Sequence, residues 1–100
     1  MRVIARRTLR QFWEDHPRGA EAKGALLVWH SATEAADWAT PADLKKSHGD
    51  ASILKNSRVV FNIAGNKFRL VARINYPYRV VYVRFVGTHE EYDDIDAETI

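Results

Sequence analysis

The order of apolar and polar positions changes period once along this chain. In the first half Leu9, Phe12, Trp13 and His16 fall at i, i+3, i+4 and i+7, one stripe of an α-helix that Pro17 and Gly19 end. A brief strand is predicted ahead of it over residues 2–5, on Val3 and Ile4. Residues 20–36 read as a second helix whose broad apolar side carries Ala25, Leu26, Val28, Trp29 and Ala32. Thr40-Pro41-Ala42-Asp43 is a helix start. Thr40 suits the N-cap, Pro41 the first helical position, and Asp43 puts negative charge in the first turn. His48-Gly49-Asp50 stops that helix early.

In the second half the period is 2, and strands are predicted over residues 58–63, 67–75 and 79–86. Gly65-Asn66 suits a two-residue hairpin turn, because both residues tolerate positive φ. That turn sets Ile63 against Phe68, Phe61 against Leu70 and Val59 against Ala72. On the other parity Asn62 meets Arg69, Val60 meets Val71 and Arg58 meets Arg73. A four-residue loop, Tyr76-Pro77-Tyr78-Arg79, then pairs Ile74 with Val81, Ala72 with Val83 and Leu70 with Phe85. It also pairs Asn75 with Val80, Arg73 with Tyr82 and Val71 with Arg84. Apolar residues meet apolar ones, which supports the register.

The expected architecture is α+β: N-terminal helices on one face of a small, mainly antiparallel sheet, with a short C-terminal helix or tail. The face left over carries Arg58, Asn62, Lys67, Arg69, Arg73, Tyr82 and Arg84. Arg58 opposite Arg73 places like charges side by side, which destabilises a sheet unless an anion lies there. The plain alternative is a solvated face with its arginines fanned apart into water.

Charge sharpens the picture more than composition does. The net charge is only +2, yet the 39 residues from Ala51 to His89 contain no acid and seven cations. The last eleven residues then hold six acids, which read as a solvated tail or as screening for the basic face. An acid-free basic block in a folded region suggests an anionic partner. The length fits a single domain over residues 1–100, and 46% apolar residues supply a core. With no cysteine there are no disulfides or thiolate metal sites. No apolar run approaches the roughly 18 residues of a membrane span, and no secretion signal is evident, so a soluble cytoplasmic protein is expected.

After the last strand comes Thr88-His89-Glu90-Glu91-Tyr92-Asp93. Thr88 with Glu91 makes a capping box for a short helix, which leaves His89 and Glu90 as first-turn residues. His89 also leaves the sheet at the end of the strand carrying Arg84, where an imidazole beside fixed cations suits acid/base work on phosphate. Both readings can hold together. His16 reads as a helix-end cap or part of its stripe, and His30 and His48 as surface or loop residues. The scattered histidines lack ligand spacing, so neither a metal nor a cofactor is expected. Glycine-rich phosphate loops and nucleophile elbows are missing. Trp13, Trp29 and Trp38 read as packing residues, and Tyr76 and Tyr78 as loop residues able to stack on a base.

The stretches RVVFNIAGNKFRLVARINY and VVYVRFVGTHEEYDDID closely resemble the HigB-type toxins of bacterial type II toxin–antitoxin systems. RTLRQFWEDHP and WATPADLKK resemble the same family. The resemblance implies a RelE-like fold and a metal-independent endoribonuclease, an mRNA interferase that commonly cuts messages on the translating ribosome. It also implies a cognate antitoxin, usually a helix-turn-helix protein, through which the toxin reaches operator DNA. Cleavage by the ribose 2′-OH needs proton transfer and stabilisation of charge on the phosphorane. His89, Arg84, Arg69, Arg73 and Tyr92 are the catalytic candidates, and Lys55, Arg58, Asn62, Lys67 and Tyr82 the RNA-binding ones. The alternatives are a non-catalytic RNA- or ribosome-binding module with the same basic face, and a weakened member kept as an antitoxin partner.

Overall fold

A computed structural model of the chain describes residues 1–4 and 6–100. Its elements run β1 (Arg2–Ile4), α1 (Arg6–Asp15), α2 (Gly19–Ala35), α3 (Pro41–Ser47), β2 (Ser52–Ile53), β3 (Arg58–Ile63), β4 (Phe68–Asn75), β5 (Val80–Thr88) and α4 (His89–Asp93). The strands form one sheet in the order β1-β5-β4-β3-β2. All its neighbours are antiparallel except β1, which runs parallel to β5. The end of the predicted first strand, at position 5, lies outside the described residues.

The predicted helices form where their caps and stripes place them. Thr40 Oγ1 accepts from the Asp43 amide, with Pro41 opening α3. Leu9 and Phe12 of α1, and Ala22, Leu26 and Trp29 of α2, bury themselves against the apolar sheet parity: Val59, Phe61, Ile63, Phe68, Leu70, Ala72 and Ile74. Phe61 lies among three rings, Trp29 at 5.4 Å, Trp38 at 6.3 Å and His48 at 5.1 Å. His48 is therefore a packing residue at the end of α3, not a free surface one, and His30 lies in α2, 3.1 Å from Glu34. Tyr76 packs on the same core, whereas Tyr78 is 80% exposed.

All six predicted β3–β4 pairs are present. Their turn differs in detail. The Lys67 amide reaches the Ala64 carbonyl at 3.5 Å, and the left-handed residues are Ala64 and Gly65, not Gly65 and Asn66. β4 and β5 pair as predicted from Asn75–Val80 to Ala72–Val83. There a bulge intervenes. Val71 pairs with Phe85 and Leu70 with Val86, so the predicted pairs Val71–Arg84 and Leu70–Phe85 do not form. The extra residue, Arg84, reverses the parity of everything that follows it on β5.

That reversal explains a second, smaller core. Phe85 now shares a face with Val60 and Val71, which are 4% and 0% exposed although they lie on the polar parity. The C-terminal segment folds back over them and brings Tyr92, Ile95, Ala97 and Ile100. Leu54 closes the cluster. The expected solvated tail is instead a packed cover, because an apolar pair on this face must be shielded from water.

Candidate nucleic-acid interface

The face away from the helices is built in rows by the sheet register. Ile4, Tyr82, Arg73 and Arg58 lie side by side across β1, β5, β4 and β3. One row along, Phe85, Val71 and Val60 sit beneath the C-terminal cover. Beyond them come Gly87, Arg69 and Asn62. Rows on one face are about 6.6 Å apart, so Arg73 and Arg69 stand about 13 Å apart along β4. The expected continuous cationic floor is therefore divided by an apolar strip into two basic patches on one side of the molecule.

The first patch holds Arg58, Arg73, Tyr82 and Arg84. Arg84 is exposed at the bulge, and its guanidinium carbon lies 5.8 Å from the centre of the Tyr82 ring. Neither Arg73 nor Arg84 meets a carboxylate in an ion pair among the described residues. Arg58 differs. Its Nε and Nη2 donate to the Ile100 carbonyl and its Nη1 to the Asn56 carbonyl, so it anchors the cover. Lys55 lies in the β2–β3 turn, where its backbone amide donates to Glu98 Oε2 at 3.3 Å while its side chain stays exposed.

The second patch holds Arg69 and His89; the expected third cation, Lys67, lies at its edge in the β3–β4 turn, where its charge acts on Glu21 of α2 on the helix side. The His89 amide donates to the Lys67 carbonyl at 3.2 Å, which ties the start of α4 to the β3–β4 turn. Its imidazole is about half exposed, with Nδ1 3.3 Å from Asp93 Oδ2. Arg69 turns back to donate to the carbonyls of Asn66 and Phe68. Asn62 donates to Asp50, and Tyr92 is half-buried in the second core.

The capping box holds α4 in place. Thr88 Oγ1 accepts from the Glu91 amide at 3.1 Å, and Glu91 Oε1 accepts from the Thr88 amide at 2.8 Å. The same carboxylate meets His16 Nε2 at 3.0 Å. His16 Nδ1 accepts from the Arg18 amide, so its proton sits on Nε2 and is donated to Glu91. The Thr88 amide, and then His16, hold the Glu91 carboxyl below its ordinary pKa. His16 is thus the expected helix-end cap, stacked on Phe12 at 4.6 Å, and also a tie between α1 and α4.

Two exposed residues of this face had no counterpart in the sequence pattern. The parallel pairing of β1 sets Arg2 beside Val80 and Ile4 beside Tyr82. A three-residue strand at one end of the chain carries no local signal of the partner it will choose.

Helices on one side of an open sheet and free guanidinium groups on the other define a small basic α+β protein of the kind that presents a sheet to an anionic partner. The HigB toxin family profile, described as the RelE-like toxic component of a toxin–antitoxin system, matches residues 22–95, and the chain belongs to this family. It is 28% identical to the mRNA interferase toxin HigB of Escherichia coli strain K12, over 97% of this chain and 92% of that protein. An mRNA interferase HigB of Shigella flexneri matches with the same identity and coverage. One from Escherichia coli O6:H1 strain CFT073 is 24% identical over 95% of this chain and 91% of its own length. No described helix is long and apolar enough to cross a membrane.

Proposed function

We propose that this chain is an endoribonuclease that cleaves mRNA on the translating ribosome and is neutralised by a cognate antitoxin carrying a helix-turn-helix domain. The observation that carries the reading is the uncovered side of the sheet. There Arg73 and Arg84 make no ion pair among the described residues, and His89 lies at the end of the strand that bears Arg84. The names of the relatives support the choice of RNA over other polyanions.

The reaction follows from these groups. The ribose 2′-oxygen bonds to the adjacent phosphorus as the P–O5′ bond breaks. A base takes the 2′-proton and an acid protonates O5′, leaving a 2′,3′-cyclic phosphate and a 5′-hydroxyl. Arg69 offers a planar fork for the phosphorane oxygens in the patch that holds His89, while Arg73 and Arg84, across the apolar strip, hold phosphates further along the strand. His89 serves as an acid/base group, with Tyr92 one turn later and Arg69 beside it. Lys55, Arg58, Lys67 and Tyr82 guide the strand, and Asn62 offers a polar contact at its far end. No metal or cofactor enters the scheme.

The test is to map the 5′ ends of cellular mRNA after brief induction in a bacterium. New 5′-hydroxyl ends and growth arrest are expected. His89→Ala and Arg84→Ala should each restore growth while the melting temperature stays near that of the parent. If both variants still arrest growth and cut message, the assigned site is wrong.

A further inference from the structure

We propose that β1 completes a nucleotide-binding subsite at the free end of this face. Tyr82 and Ile4 would seat one base of single-stranded RNA, while Arg2 and Arg84 hold the phosphates on either side. The proposal rests on the RNA reading above and adds a place where the strand is gripped away from His89.

Ile4 and Tyr82 are register partners on neighbouring strands, so their side chains lie side by side on one face. Ile4 is 41% exposed and Tyr82 partly exposed. Both belong to neither of the two cores, since the C-terminal cover reaches Phe85, Val71 and Val60 and touches the next row only at its far end, Arg58. An aliphatic side chain beside an aromatic ring, outside both cores and reached by water, is a platform of the size of a base. Single-stranded RNA is held in this way, by stacking on aromatic rings between cationic contacts to the backbone.

The cations stand where such a base would need them. Arg2 is exposed one row before Ile4, beside Val80. Arg84 sits on the other side of Tyr82 with its guanidinium carbon 5.8 Å from the ring centre, close enough to stack with a base or to move aside onto a phosphate. Arg73 is the next residue across the sheet from Tyr82. Among the described residues Arg2, like Arg73 and Arg84, makes no ion pair. Strand spacing of about 4.8 Å puts β1 and β4 roughly 10 Å apart, so the open part of the row, from Ile4 through Tyr82 to Arg73, can follow an RNA strand.

The experiment measures binding of a short, mixed-sequence single-stranded RNA by fluorescence anisotropy over a range of salt. It uses the full chain carrying His89→Ala, so that the probe survives. In that background Tyr82→Ala is expected to weaken binding about 5- to 150-fold, and Tyr82→Phe to restore it. Ile4→Ser should also weaken binding. Arg2→Gln should lower the slope of log affinity against log salt by about 0.7, the value for one phosphate contact on a single strand. Lys46→Gln, an exposed cation on α3, should leave the slope unchanged.

Parental affinity in both Tyr82→Ala and Arg2→Gln would overturn the subsite. So would an equal loss of slope in Lys46→Gln, which would mean a diffuse charge effect. Because Arg2 and Ile4 are exposed, their variants keep the test decisive should Tyr82→Ala fold poorly. Message cleavage is read separately in the parent chain. Binding that depends on Arg2 and Tyr82 without any cleavage would sink the nuclease reading and leave the subsite standing.

Discussion

Replacing Arg73 by Gln should make the folded protein more stable and the toxin weaker. Arg73 lies directly opposite Arg58 in the β3–β4 ladder. The neighbouring pair, Ser57 with Ile74, is a hydrogen-bonded one, since the Ile74 amide donates to the Ser57 carbonyl at 2.9 Å. Arg58 and Arg73 therefore occupy the closer, non-hydrogen-bonded kind of pair, with Cα atoms about 4.5 Å apart. With the two side chains fanned to roughly 7 Å, like charges repel by about 0.6 kcal/mol in water and about 2.4 kcal/mol at an effective dielectric of about 20. Arg73 is exposed, so the gain belongs near the lower figure, about 0.5–1 kcal/mol. For a chain of this size that is about 2–8 °C in melting temperature.

The assay is thermal unfolding at low and high salt, alongside growth arrest on induction. The gain should shrink as salt rises and the screening length falls to about 3 Å near 1 M. Arg58→Gln should do the opposite and destabilise, because Arg58 supplies the donors that hold Ile100 and Asn56. A lower melting temperature for Arg73→Gln, or a gain indifferent to salt, would refute the account of two repelling neighbours.

Further outcomes follow from particular residues. Burial among Trp38 and Phe61 lowers the His48 pKa below its ordinary value, with Asp50 opposing. The unfolded chain then takes up that proton first, so stability is full above about pH 6.5 and is lost between there and the lower folded value. Chemical denaturation against pH should show this loss in the parent and less of it in His48→Gln. Ser57 sits at φ 59°, in the left-handed region, and Ser57→Gly should stabilise by about 1 kcal/mol in urea unfolding. A Cβ on Gly19 would lie 2.0 Å from the Phe12 carbonyl oxygen and 2.7 Å from the Trp13 Cα, so Gly19→Ala should cost about 3 kcal/mol by the same measurement.

What was legible in the sequence was what local periodicity controls. The Leu9–Phe12–Trp13–His16 stripe, the Thr40 cap, the Thr88–Glu91 box and every β3–β4 pair follow from spacing alone. The strand β2 is two residues long and carries no period. The bulge was hidden because Val80 to Val86 alternates acceptably without it, and only the need to cover Val60 and Val71 selects the shifted pairing. One signal was available. Val60 opposite Val71 on the polar parity is an apolar pair that needs a cover, and Ile95, Ala97 and Ile100 are the apolar residues left to supply it. Of the site, the row holding Arg73 and Tyr82 was visible in the ladder. The separation of Arg69 from it, and the arrival of Arg2 and Ile4, depend on contacts between distant parts of the chain.

The bulge at Arg84 has a consequence for how this protein can change over generations. Every neighbour of Arg84 on β5 answers to a partner across the ladder, whereas Arg84 has none and its side chain is free to be selected for what it touches outside the molecule. Deleting that single position would close the ladder with Phe85 still opposite Val71 and Val86 still opposite Leu70, whereas forcing Arg84 into the ladder opposite Val71 would hand Phe85 to the helix side and push Val86 outward. The fold therefore tolerates change or even loss at this position, and what holds an arginine there is its contact outside the molecule.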